Sequence, residues 1–341
     1  MKSGCGAGQF YVKADTGSGA MVVSESQGYG MLILPMMAGH DPQAQDIFDG
    51  LLNYYRAHKS HIDPRLMSAA QDYKCRDMDG DDSATDGDLD AAYGLILAHL
   101  QWGSGGATDY LAAAQKVLGG IYASNVNPET RLVNLGDWVT VSGQKYRYAT
   151  RSSDWMPGHL AGFAEVESRW EAVRDAHLDI IETMQTNFSD GTGLLPDFVV
   201  NANASPQPAP PKFLEAKTDG KYSYNACRDP WRIGVFAVTA GNGRAAIAAR
   251  KLNAWIHGAT DGKPGRIRAG YALNGKPLVR YADLSFTAPF MVSAMTGSGA
   301  ADQKWLDALW DEVVETRPEG YYPDTLKLLS MLTASRNWLR P

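Results

Sequence analysis

Apolar residues in this chain recur at three- and four-residue spacing almost from end to end, in segments of two kinds. One kind is amphipathic, with a single apolar stripe: DPQAQDIFDGLLNYYRAH (41–58), DGDLDAAYGLILAHLQW (86–102), ATDYLAAAQKVLGGIYA (107–123), ESRWEAVRDAHLDIIETMQTNF (167–188), NGRAAIAARKLNAWIHGA (242–259), ADQKWLDALWDEVVETR (301–317) and YYPDTLKLLSMLTASRNWL (321–339). The first of these opens on Asp41-Pro42, a capping residue followed by proline at the first helical position. The other kind, such as GYGMLILPMMAG (28–39) and WRIGVFAVTAG (231–241), is apolar on every side, which a helix tolerates only when neighbours surround it. An inner ring of buried helices wrapped by an outer layer accommodates both kinds. The expectation is therefore an all-α, double-layered helical barrel forming one domain over residues 1–341, since no change of composition marks a boundary.

Two segments break the helical pattern. Residues 130–150 (TRLVNLGDWVTVSGQKYRYAT) carry short strand signals and are expected to form a small hairpin. Residues 199–224 (VVNANASPQPAPPKFLEAKTDGKYSY) form a polar, proline-rich loop too long to be an idle connection inside a compact domain.

Several function classes are disfavoured early. The net charge is −6 and no lysine- or arginine-dense block is present, so nucleic acid is not an expected partner. No apolar run reaches the roughly 18–20 residues needed to cross a bilayer, and MKSGCGAGQF lacks the apolar centre of a signal peptide. The cysteines, Cys5, Cys75 and Cys227, form no C-x-x-C pair and His159 and the other histidines show no ligand spacing, so neither a metal nor a cofactor is expected. A Cys5–Cys75 bridge and three free thiols both remain open.

Two motifs carry chemistry. In VVSESQGYGMLILPMM, Glu25 opens an apolar helix; held against apolar neighbours, its charged form is disfavoured, as a general acid requires, although capping the helix is an equal reading. In DDSATDGDLDAAYGLILA, Asp86, Asp88 and Asp90 alternate at a helix start, where the helix N-terminus offsets only part of their mutual repulsion. A calcium loop over DMDGDDSATDGD fits poorly: its glycine is fourth instead of sixth, and its twelfth residue is Asp88 instead of glutamate. An acid that grips a sugar fits better.

SESQGYG and ATDGDLDAAYGLILA together resemble glycoside hydrolase family 8, and NLGDWV, SDWMPGH, GLLPDFV, RDPWRI and YYPDTLKLLSML extend the resemblance over about residues 5–339. Ser26 stands where the family has glycine, beside the acid and able to alter its hydrogen bonding, and Ala91 and Gly94 also depart from the pattern. The resemblance implies an (α/α)6 barrel and inverting hydrolysis of β-1,4-linked polysaccharides such as chitosan, cellulose-type glucan, mixed-linkage glucan or xylan. It implies Glu25 as general acid and Asp86 as the aspartate that binds the distorted sugar. Inversion requires a second carboxylate about 6.5–9.5 Å from the acid, leaving room for a water.

In one branch of the family an aspartate in Y-D-A-x-R serves as that base; here the matching stretch is YNACR and the position is Asn225, which cannot accept a proton from water at neutral pH. The branch with asparagine uses a glutamate from a long upstream loop. That implies Glu215, with Asp219 and then Asp197 in reserve. Pyranose rings stack on aromatic faces, so Tyr29, Trp102, Trp138, Trp155, Tyr224 and Trp231 are candidate groove residues, each equally able to serve as core. Arg228 is expected to orient Asp86 or Asn225. A monomer acting on chitosan or β-glucan, exported to reach its polymer, is the expectation. A silent sugar-binding protein on the same scaffold, or a polysaccharide lyase, are the other readings.

Overall fold

The computed structural model describes residues 2–3, 5–78 and 80–341. Among them are eleven α-helices: α1 (Ser24–Met37), α2 (Ala44–Ala57), α3 (Thr85–Trp102), α4 (Tyr110–Gly120), α5 (Pro157–Val166), α6 (Trp170–Phe188), α7 (Asp229–Ala240), α8 (Gly243–Ala259), α9 (Leu284–Ala294), α10 (Ala300–Glu315) and α11 (Tyr321–Ala334). Each odd-numbered helix packs on the next odd one and α11 returns to α1, closing a ring; each even-numbered helix lies outside, against the ring helix that precedes it. This is the (α/α)6 barrel. Because every outer helix carries the chain back, all ring helices run the same way.

Two segments with an amphipathic reading belong to the ring instead. α3 is buried on every face from Thr85 to Ala98, and its acids are accommodated because each has an internal partner. Alternate residues on a helix point about 200° apart, so Asp88 turns away from the other two, while Asp86 and Asp90, four apart on one face, are each met by an arginine, Arg228 and Arg232. Asp88 accepts from the Tyr55 hydroxyl (2.6 Å) and the Met67 amide (3.1 Å), while Asp90 meets Arg232 (2.7 and 2.6 Å) and His159 (2.9 Å). Among the described residues no group of three acidic or other metal-binding side chains is placed to hold an ion, and Asp79 of the calcium-loop reading lies outside them. α11 also joins the ring. Two further ring helices, α5 and α9, carried no distinct signal; α9 contains Pro289 and is buried throughout.

Glycines set how closely α1 and α3 approach. A Cβ on Gly28 would lie 2.8 Å from the Gly87 carbonyl oxygen, and one on Gly94 would lie 2.6 Å from that of Met31. Backbone therefore meets backbone, and the starts of the two helices are drawn together.

Asp90, Arg232 and His159 join α3, α7 and α5 in the interior, with Asp90 and Arg232 fully buried. Removing one partner of such a pair strands the other charge. Asp90→Ala is expected to cost about 3–5 kcal/mol in urea denaturation; a loss under about 1 kcal/mol, the range of exposed pairs, would show that the pair is not needed.

Short antiparallel strands complete the chain. β1 (Lys2–Ser3) pairs with β2 (Phe10–Tyr11), β3 (Ala20–Val23) with β4 (Ala70–Asp72), and β5 (Thr150–Arg151), β6 (Phe198–Val200) and β7 (Gln207–Pro208) form one sheet. The small hairpin is therefore β6–β7, inside the long loop. Residues 130–150 contribute the first residue of β5 and a single antiparallel bridge of Val133 to Val126, together with a 3-10 turn at Asp137–Thr140 that Asp137 anchors by accepting from Ser60, Asp63 and Ser83. A second small core of Leu135, Val139, Phe198 and Phe213, with Trp138, Tyr146 and Leu214 against it, fixes the loop to this turn. Cys5 and Cys75 are bridged, tying the N-terminal segment to the approach to α3, and Cys227 is a buried free thiol. No helix among the described residues is long and apolar enough to cross a membrane.

Candidate active site

The starts of the six ring helices meet at one end of the barrel. Glu25 is the second residue of α1 and Asp86 the second of α3; Ser153 and Asp154 end the turn before α5; Arg228 immediately precedes α7; Asp283 caps α9, accepting from the Ser285 amide (2.9 Å); Tyr321 begins α11. Helix N-termini favour negative charge, so this is the end at which a cluster of carboxylates costs least.

Arg228 is the hub. Its Nη1 donates to Glu25 Oε2 (2.7 Å), to Asp86 Oδ2 (3.0 Å) and to the Tyr29 hydroxyl (3.2 Å). Its Nη2 donates to Ser153 Oγ (2.7 Å) and Asn225 Oδ1 (3.2 Å), and its Nε to the Asn225 carbonyl (3.3 Å). One buried guanidinium thus touches Asp86 and Asn225 alike, and sets Glu25 as well. The other oxygen of Glu25 accepts from the Tyr321 hydroxyl (3.0 Å). Burial pushes the Glu25 carboxyl up, against the pull of Arg228, with the Asp86 charge adding to the rise. Burial acts on Asp86 too, but the guanidiniums of Arg151 and Arg228 hold it below the usual carboxylate range. The two acids, one apt to keep a proton and one to stay ionised, are set apart by their surroundings. Ser26 does not reach Glu25: its hydroxyl donates to the Val12 and Val23 carbonyls and ties the start of α1 to the N-terminal segment.

Glu215 stands across this network. Asn225 Nδ2 donates to Glu215 Oε2 (2.8 Å) and Arg151 Nη2 to Glu215 Oε1 (3.1 Å). Both halves of the Asn225 amide are therefore used, its oxygen on Arg228 and its nitrogen on Glu215. An aspartate there would put a second carboxylate against the glutamate. The amide suits a chain whose carboxylate arrives from the loop. Glu25 and Glu215 share no hydrogen bond; one guanidinium and one amide stand between them.

The two reserve acids have structural partners. Asp219 is buried and accepts from the backbone amides of Leu214 (2.8 Å), Glu215 (3.0 Å) and Ala216 (2.7 Å), shaping the turn that presents Glu215. Asp197 accepts from the amides of Ser223, Asn225 and Ala226 (3.1, 3.1 and 2.7 Å), fixing the segment that carries Asn225, while burial pushes its carboxyl up to about 8. Neither carboxylate is free to face a sugar.

The aromatic candidates divide. Trp155 and Trp231 are sealed in the core, Trp155 donating to Thr150 and Trp231 packed on Tyr29 and Trp338; neither can offer a face to a sugar. Trp102 ends α3, about 24 Å of helix from Asp86, and packs against Phe48 and Tyr110. These three are corrected to structural residues. Tyr29 is buried too, but its hydroxyl reaches Arg228. Trp138 is partly exposed against Tyr146, and Tyr224 is exposed, its hydroxyl donating to Asp283 (3.0 Å) beside Tyr281.

Arg151 and Tyr321 were not singled out in the sequence, yet both touch the candidate acids. The only signal was adjacency: Arg151 lies three residues before Asp154 and Tyr321 opens the YYPD stretch. Neither adjacency says which way a side chain turns.

The model of the family described as glycosyl hydrolases family 8 matches residues 7–336. A β-glucanase of Niallia circulans is 43% identical over 98% of this chain and 80% of its own length, and an endoglucanase of Bacillus sp. strain KSM-330 is 41% identical over 98% and 72%. The solved apo structure of a β-1,3-1,4-glucanase from Paenibacillus sp. X4 superposes with a TM-score of 0.94 at 42% identity, over 99% of this chain and 88% of that one.

Proposed function

We propose, since this chain belongs to the glycosyl hydrolases of family 8, that it is an endo-acting β-glucanase that cleaves β-1,4 linkages with inversion at the anomeric carbon. Glu25 is the general acid that protonates the departing glycosidic oxygen. Glu215 is the base that deprotonates the attacking water, and Asp86 holds the sugar at the cleavage point. The pairing of Asn225 with Glu215 carries this reading, because it gives the loop glutamate a fixed place where the helix-start position offers only an amide. Asn225, Arg228 and Tyr29 hold the carboxylates, and Trp138 and Tyr224, which retain exposed surface, are stacking platforms for pyranose rings.

β-Glucan is the favoured polymer. The relatives are named for it, and three exposed lysines, Lys145, Lys212 and Lys217, lie on or against the segment that bears Glu215, a cationic rim unfavourable to a polycation such as chitosan. The Cys5–Cys75 bridge suits an oxidising compartment and supports export.

Incubation with barley β-glucan, carboxymethylcellulose, xylan and soluble chitosan, with assay of new reducing ends and proton NMR of the first products, tests the whole reading. New ends are expected fastest on barley β-glucan, appearing first as the α-anomer. A first-formed β-anomer sinks inversion. Binding without new ends favours a silent sugar-binding protein, and products absorbing in the ultraviolet a lyase.

A further inference from the structure

Arg151 has no part in the reading above, yet it lies against three carboxylates. Its Nη2 donates to Glu215 Oε1 (3.1 Å), its Nη1 stands 3.5 Å from Asp86 Oδ2 and 4.0 Å from Asp154 Oδ2, and its guanidinium sits over the Phe198 ring, 5.3 Å from the centroid. Arg151 is itself nearly buried, with 12% of its side chain exposed, whereas Glu215 is 45% exposed. An exposed glutamate on a loop has many rotamers. Clamped by one amide and one guanidinium, it has one.

We infer that Arg151 is a positioning residue: it fixes the Glu215 carboxylate facing Asp86 and the cleavage point. The inference rests on the reading of Glu215 as base and adds the device that presents it. The fork of the guanidinium is what the arrangement uses, since one nitrogen serves the loop acid while the other faces the ring-helix acid. β5 brings this about. Arg151 pairs with Phe198 across β5 and β6, so the sheet that anchors the loop also carries the clamp, and the ring of Phe198 supports the guanidinium plane.

The charged groups around this clamp are few and belong to separate elements: Glu25 from α1, Asp86 from α3, Asp154 from the turn before α5, Asp197 from the end of the 189–197 segment, Arg228 and Asp229 at the start of α7, and Glu215 from the loop. Among these, Asp154 is the competitor for Arg151. Burial pushes its carboxyl up to about 7, and its Oδ2 has no hydrogen-bond partner, so below that pH it holds a proton and leaves the guanidinium to Glu215 and Asp86.

Arg151→Ala, assayed on barley β-glucan, is expected to lower kcat by about 10²-fold with KM little changed, because a misdirected base costs turnover and not binding. Guanidinium chloride at tens of millimolar is expected to restore part of that kcat, which a merely structural defect would not allow. Arg151→Lys keeps a cation but cannot serve Glu215 and Asp86 together, and is expected to fall about tenfold. A kcat within threefold of the parent in Arg151→Ala, or a loss that guanidinium does not lift, overturns the inference. Should Arg151→Ala not fold, an unchanged kcat in Arg151→Lys overturns it equally. Glu215→Ala is run alongside: if it stays active, the functional reading fails and this inference with it, whereas an inactive Glu215→Ala beside an unaffected Arg151→Ala sinks this inference alone.

Discussion

Glu25→Gln is expected to lower turnover of barley β-glucan by about 10³-fold while the fold survives, the usual weight of a positioned general acid. The substitution is nearly isosteric: glutamine can still accept from Arg228 and keep company with the Tyr321 hydroxyl, so the network of contacts is largely kept and the transferable proton is lost. An aryl β-glucoside oligomer with a dinitrophenolate leaving group separates this from general damage, because such a group departs without protonation. Its hydrolysis is expected to be spared in the variant, and an equal loss on both substrates would remove Glu25 from the acid role. The sign of the pH effect follows from the environment. Glu25 acts while protonated, and burial raises its pKa, so activity persists as pH rises toward that raised value and is lost above it. Glu25→Gln should show no such alkaline limb.

Glu215→Ala is expected to lower kcat by about 10³-fold as well, by leaving water without a base. Here the more telling result is rescue. The truncated side chain opens space on the face opposite the departing oxygen, and azide, a nucleophile that needs no deprotonation, can use it. Inversion of a β-linkage then yields an α-glycosyl azide, identified by NMR. A β-glycosyl azide would place the attack on the wrong face. Asp219→Asn is the control, since its carboxylate spends itself on three backbone amides of the same turn. That variant is expected to lose activity by slackening the loop, and azide is not expected to restore it.

The barrel was legible because its pattern is periodic. Helices buried on every side and helices buried on one must form two layers, and no single residue decides that. The amphipathic reading of residues 86–102 failed for a definite reason: the polar start of the segment suggests one wet face, and periodicity cannot foresee that Tyr55, Arg232 and Arg228 meet its acids inside. Similarly, a tryptophan in a motif reads as a sugar platform until burial shows Trp155 and Trp231 sealed away. That Glu25, Asp86 and Glu215 gather around Arg228 and Asn225 was legible from motif and loop length. Arg151 and Tyr321 were not, because their relevance lies in direction and sequence separation: the Tyr321–Glu25 contact spans 296 residues and the Arg151–Glu215 contact 64.

That 296-residue span has a consequence of its own. The hydroxyl of the last ring helix meets the carboxylate of the first at the seam where the circle shuts, so the proposed centre is complete only in the closed ring. Half the barrel, however well folded, would hold the acid without its latch or the latch without its acid. A change that loosens α11 against α1 therefore also displaces the hydroxyl that Glu25 accepts from.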